Sequence, residues 1–295
     1  MIHIRTEAEI EQMGAAGSLA KQALRRAGNL VRPGVSTKEI DRAVELFIRE
    51  CGARPTFKGY DGFPGSICTS TNEQIVHGIP SPTVTLSEGD IISIDAGATY
   101  GGWVGDNAWT FYVGAVSTTV QGLCDVARDC LKAGIEQALP GNHLGDIGHA
   151  VQSLAEENGY GVVREYVGHG VGHAMHEDPN VPNYGKRGRG VKLQVGMVIA
   201  IEPMITLGAY DNHTLPNGWT VVTDDDMPAA HFENTVAITE DGPLILTADE
   251  LGPWCAMQGG SDAERADDAQ AEGASEGEAP EGQDAPPESA DAPES

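Results

Sequence analysis

The chain has 295 residues and an apolar share of 40%, so length and composition allow a sizeable core in one large domain or two modest ones. Its formal net charge of −26 argues against nucleic-acid binding or docking on anionic lipid, both of which need a basic face. The five cysteines include no metal-type Cys-x-x-Cys pair; their odd number argues against disulfide staples and fits a reducing, cytoplasmic setting.

The N-terminal stretch MIHIRTEAEIEQM is charged and has no apolar signal core. Thr6 with Glu9 has the spacing of a capping box and predicts a helix over residues 7–27. After the turn VRPGVS, Ser36 with Glu39 repeats the pattern. It predicts a second helix over 37–51, with Ile40, Val44, Leu46 and Phe47 among its apolar residues and Gly52 as its stop. The period then changes, and 67–71, 75–76 and 91–95 read as short strands between Gly and Pro breaks. TYGGWVGDNAWTFYVG reads as a Gly-rich turn between two neighbouring strands, flanked by Asp95 and Asp106. Helices return over 118–138 and 144–158, and beyond Gly161 the pattern is again strands and loops. No apolar run approaches the roughly 18 residues of a membrane span. From Gly259 onward twelve Asp and Glu face a single Arg, Arg265, among Ala, Pro, Ser and Gly. Such a segment cannot bury enough apolar area to offset its ordering entropy. The folded domain is therefore expected over 1–257, with a disordered acidic tail over 258–295.

The chain also echoes itself. PGVSTKEIDRAV from Pro33 and PGNHLGDIGHAV from Pro140 repeat Pro, Gly, an acid, Ile, Ala and Val at matching positions, each ahead of a strand-rich segment. Chance similarity of two amphipathic helices is one reading. The other is two related halves about a pseudo-twofold axis, each donating residues to a site at the seam.

Five ionisable side chains sit in apolar or Gly-rich strand contexts: Asp95 in IISIDAG, Asp106 in GWVGDNAW, His169 in YVGHGVGH, Glu202 in VIAIEPM and Glu233 in AAHFENTVAI. Burying one such charge is costly unless it is paired or metal-bound. One alone reads as a structural hydrogen-bonder, whereas five together point to a metal site. Hard oxygen donors with one imidazole match divalent Mn, Fe, Co or Zn.

With these residues in place, the ordered set VHGIP, SIDAGATYGGWVGDNAWTF, GHGVGHAMHEDPNVPNYG, GMVIAIEPM and HFENTVAIT resembles the methionine aminopeptidases over about residues 2–248. The resemblance implies an α/β pita-bread fold, in the α+β sense, with internal pseudo-twofold symmetry and antiparallel sheet flanked by helices. It implies a hydrolase that removes the initiator methionine from nascent polypeptide N-termini, near the ribosome, as a cytoplasmic monomer. It also implies two divalent ions (Mn, Fe, Co or Zn), with Asp95 on one, Asp106 and Glu233 shared, and His169 and Glu202 on the other. Glu202 would act as base for the attacking water. His176 would stabilise the oxyanion, and His77 would hydrogen-bond the scissile amide. Tyr60, Phe63, Cys68, His77, His176 and Trp219 would surround the substrate, with Phe57 and Met175 at the pocket edge, where relatives often carry Cys and Phe. His173 matches no catalytic position and reads as a surface or packing residue.

Proline-directed peptidases share these ligands but carry a large additional N-terminal domain, whereas the first ligand here is Asp95. A metal-free binding module of the same fold would lack at least one ligand. Both features point to the short bacterial form of the enzyme.

Overall fold

The computed structural model describes residues 1–248. The acidic tail, the boundary at residue 257 and Cys255 lie outside the described residues. The chain opens with α1 (Glu7–Gly28) and α2 (Thr37–Glu50), followed by β1 (Arg54–Pro55), β2 (Cys68–Thr71), β3 (Gln74–Val76), β4 (Ile91–Tyr100) and β5 (Trp103–Tyr112). A second helix pair, α3 (Thr118–Glu136) and α4 (Leu144–Glu157), leads into β6 (Gly161–Val162), β7 (Gly168–Gly170), β8 (Glu177–Val181), β9 (Val198–Ile201) and β10 (Met204–Thr206). The described chain closes with β11 (Asn212–Thr214), β12 (Val221–Thr223), β13 (Ala229–His231), β14 (Asn234–Thr239) and β15 (Gly242–Ile245).

Both expected capping boxes form. Thr6 Oγ1 accepts from Glu9 N–H while Glu9 accepts from Thr6 N–H, and Ser36 and Glu39 do the same. Ala16, Ala20, Ala23 and Ala27 run along the buried face of α1, which also carries Ile10, Met13 and Leu24. The small alanine side chains let the helix lie directly on the β4–β5 hairpin. A Cβ on Gly105 would stand 2.5 Å from Gly17 Cα, so that crossing admits no side chain. In α2 the buried face is Ile40, Val44 and Ile48, each contributing roughly 1.5–3 kcal/mol by burial. Leu46 is instead exposed, because a residue two positions from Val44 points to the other side of a helix. Asp41 on the same helix is fully buried. Its carboxylate pairs with Lys38 and accepts from the backbone N–H groups of Ser66 and Ile67, pinning the approach to β2.

All strand pairs are antiparallel. The first half holds a sheet in which β4 pairs with β1, β2 and β5, packed on α1 and α2. The second half holds the sheet β15-β14-β9-β7-β8, packed on α3 and α4. The sheets β13-β10-β6 and β11-β12-β3 complete the set, and the β3–β12 pair joins the halves.

The sequence echo is a structural repeat. Gly34 and Gly141 both adopt left-handed φ, +88° and +93°, where glycine is strain-free. Ser36 and His143 both cap a helix, each with its backbone N–H held by the acid three residues on, Glu39 and Asp146. Ser36 bridges Thr85, and His143 bridges Lys192. From those bridges the chain enters β4, which carries Asp95, and β9, which ends beside Glu202. No helix of the described residues is long and apolar enough to cross a membrane. Cys51, Cys68 and Cys130 are free thiols.

Candidate metal centre

Asp95 lies on β4 opposite Ala108, and Asp106 lies on β5 opposite Gly97. Residues two apart on a strand share a face, so the two carboxylates form a diagonal pair on one side of the hairpin. His169 is the middle residue of β7, Glu202 follows β9 and Glu233 precedes β14. Because β9 pairs with both β7 and β14, these three side chains gather at one place in the second sheet. The two sheets are stitched there. Glu233 N–H donates to the Ala108 carbonyl at 2.9 Å, Thr235 Oγ1 donates to the Asp106 carbonyl at 2.8 Å, and Asp106 N–H donates back to Thr235 Oγ1.

All five predicted ligands line one cavity of about 380 Å³. One donor atom each from Asp106, His169 and Glu233 lies within 4.8 Å of the others. His169 Nδ1 donates to the Gly170 carbonyl at 2.9 Å, so in the neutral ring the lone pair is on Nε2. Burial, and after it the neighbouring His176, lowers the His169 pKa to about 4, which keeps the ring neutral. That lone pair faces acceptors, with Glu202 Oε1 at 3.5 Å and Asp106 Oδ2 at 3.8 Å. Asp95 Oδ1, Asp106 Oδ1 and Glu233 Oε1 are buried and have no hydrogen-bond partner. Burial pushes the pKa values of Asp95, Asp106, Glu202 and Glu233 up; for all but Asp106 the neighbouring carboxylates push further in the same direction. Acceptors converging on acceptors, with orphaned oxygens among them, fit hard divalent cations that take oxygen and imidazole ligands.

One residue close to this cluster escaped the sequence reading. His231 is 2% exposed, and its Nε2 lies 3.6 Å from Glu202 Oε2. Burial, then His77, lowers its pKa to about 3. A signal for it was present, since His231 and Glu233 stand two apart in the strand-like HFEN motif. Asn183, also unpredicted, donates to the Glu202 carbonyl at 2.9 Å.

The same cavity is walled by Phe57, Phe63 and Cys68, which pack with Ile79, Met175 and Trp219. Phe63 and Trp219 meet edge to face at 5.1 Å. Tyr60 stands beside them, with its hydroxyl 2.8 Å from His176 Nδ1. The His176 ring lies 4.3 Å from that of His169. His77 has a left-handed φ of +59° and is edged by Tyr166 and Trp219. Burial lowers its pKa to about 4, with His176 adding to the effect. Tyr166 and Glu165 also line the cavity and were not foreseen. His173 points elsewhere: its ring stacks on Trp103 at 3.7 Å and its Nδ1 donates to the Gly102 carbonyl. The expectation that it packs rather than reacts agrees with this placement.

With this geometry in hand, three comparisons place the chain. The profile of the family described as "Metallopeptidase family M24" matches residues 11–240. A methionine aminopeptidase of Clostridium acetobutylicum is 53% identical over 247 residues, covering 84% of this chain and 99% of the relative. The crystal structure of methionine aminopeptidase from Rickettsia prowazekii superposes with a TM-score of 0.83 at 43% identity, covering 84% of this chain and 100% of that one. A prolidase from Pyrococcus furiosus shares the fold at a TM-score of 0.67 and 25% identity, but only 66% of its length is covered.

Proposed function

The chain belongs to metallopeptidase family M24, among the methionine aminopeptidases of the short bacterial type with the pita-bread fold, and from that membership we propose that it removes the initiator methionine from new polypeptides. The observation that carries this reading is a single cavity in which an apolar pocket of aromatic and sulfur-bearing side chains opens onto the five-residue donor cluster. Phe57, Phe63, Cys68, Met175 and Trp219 match a flexible thioether side chain, through aromatic faces and polarizable contacts.

In this reading Asp95, Asp106, His169, Glu202 and Glu233 would hold divalent cations of the Mn, Fe, Co or Zn class, two in number. Such ions, when bound, activate water at neutral pH and attract a free α-amine, which confines cleavage to the first residue. Glu202 accepts the proton of the attacking water. The Tyr60 hydroxyl lies 2.8 Å from His176 Nδ1, and in the tautomer where it donates there the Nε2 hydrogen of His176 is left to meet the oxyanion as it develops. His77 holds the scissile amide and assists the departing amine, and its neutral ring can both accept and donate. The enzyme works as a cytoplasmic monomer on nascent N-termini near the ribosome. Its free thiols are consistent with a reducing compartment.

Release of methionine from Met-Ala-Ser by chelated protein, with Mn, Fe, Co or Zn added back, tests the reading. Activity should return with metal and be absent in Asp106→Asn. It should also be absent when the substrate amine is acylated. Cleavage of X-Pro substrates in place of Met-Ala-Ser would move the protein to the proline-directed branch, and no cleavage with any metal would refute the proposal.

A further inference from the structure

The loop between β7 and β8 carries Met175 and His176 at the cavity mouth, yet its anchor lies outside the cavity. Glu177, the first residue of β8, turns its carboxylate back under the loop. There Oε1 accepts from the backbone N–H groups of His173 at 2.9 Å and Ala174 at 3.2 Å. Its other oxygen takes a 2.5 Å hydrogen bond from Arg5 Nη2, and the two side chains are only 7% and 11% exposed. Arg5 is held in turn from two sides. Its backbone N–H donates to the Gly196 carbonyl at 2.7 Å, and its guanidinium lies 5.0 Å over the Trp103 ring. Trp103 donates Nε1–H to Gln12 on α1 and stacks against His173 of the same loop. The backbone makes room for the pair, since a Cβ on Gly172 would fall 2.0 Å from Arg5 Nη2 and 2.4 Å from Glu177 Oε1. At its exposed end the segment is also tied by the Met1 ammonium to Asp178, a pair too solvated to add much.

We propose that Arg5 and Glu177 are positioning residues for His176: the N-terminal segment is a strap whose buried ion pair fixes the loop that presents His176 to the reacting carbonyl. The physical reason is that, among the described residues, Glu177 accepts from two loop N–H groups and Arg5 neutralises it from behind. Without Arg5, a buried carboxylate is left uncompensated and drifts toward water, taking those loop N–H groups with it. The proposal rests on the assignment of His176 to oxyanion stabilisation given above.

The test is a double-mutant cycle on the metal-loaded enzyme, read as kcat and KM for Met-Ala-Ser well below the melting temperature. Bound metal and amide hydrogen exchange over residues 172–177 are followed alongside. Arg5→Met should lower kcat on the order of tenfold and speed exchange in the loop, with metal content unchanged. In a His176→Ala background the same substitution should change kcat by less than about twofold, because the group it positions is already gone. Arg5→Lys, which keeps the charge without the fork, should retain an intermediate kcat and guards against a variant that fails to fold. Equal losses in both backgrounds, or full kcat in folded Arg5→Met, would overturn the proposal. If His176→Ala itself leaves kcat intact, the assignment of His176 fails instead. Hydrogen exchange then judges the strap separately, and unaltered loop protection in Arg5→Met would overturn that too.

Discussion

In Glu202 both carboxylate oxygens face imidazole nitrogens, Oε1 toward His169 at 3.5 Å and Oε2 toward His231 at 3.6 Å. His169 has its Nδ1 hydrogen committed to Gly170, so it offers a lone pair, whereas the buried His231 Nε2 has no hydrogen-bond partner and faces the second Glu202 oxygen, where a small approach would let it donate. His231→Phe should therefore weaken metal retention on the order of tenfold in a chelator competition, while His231→Gln, which keeps a donor, should hold most of it. The pH dependence of the metal-free protein follows from the same groups. Asp106 is raised from 3.8 to about 7, and Asp95, Glu202 and Glu233 move the same way. A raised carboxyl pKa favours the folded state at low pH, and that advantage is lost as pH climbs through the folded value. The lowered histidines, His77 and His169 at about 4 and His231 at about 3, oppose this, but only below their ordinary value of 6.5. Above that pH the carboxylates act alone. The chelated protein should then lose thermal stability as pH climbs from about 6.5 through 7 and above, and divalent metal should flatten the slope. A melting temperature in EDTA that does not fall over this range would contradict the assignment.

At the scale of elements, helix starts were the most legible feature. A capping box is a local device, with both hydrogen bonds closing within four residues, so Thr6–Glu9 and Ser36–Glu39 were readable without any tertiary contact. Ser36→Ala should destabilise the fold by about 1 kcal/mol, measured by urea unfolding. The strand ends were less legible. The strand predicted over 91–95 runs on to Tyr100, because the Gly-rich stretch pairs residue by residue with Trp103–Tyr112 before the chain turns. Thr235 illustrates the limit of local reading. Its hydroxyl joins β14 to Asp106 on β5 through two hydrogen bonds, and nothing near it in sequence announces that. Thr235→Val should leave Asp106 N–H unpaired in a buried seam and cost about 1–3 kcal/mol, with weaker metal binding as the second readout.

At the scale of the molecule, the site exists because two halves of similar plan meet. Each half sends a capped helix and a bridged strand toward the seam, and each supplies part of the donor set. We expect the acidic segment 258–295 to lie outside this machinery, so a chain ending at residue 257 should keep its kcat and KM for Met-Ala-Ser; a large loss would show that the catalytic domain extends further. The sequence by itself determined the candidate donors and their order, the helix starts and the repeat, because each is carried by residue chemistry or by hydrogen bonds within a few positions. Only the tertiary structure decided that Asp95 and Asp106 form a diagonal pair, that His231 stands behind Glu202 and that Arg5 reaches Glu177. Those contacts join distant segments, and their geometry is set by strand register and by packing of the two sheets, which no local periodicity encodes.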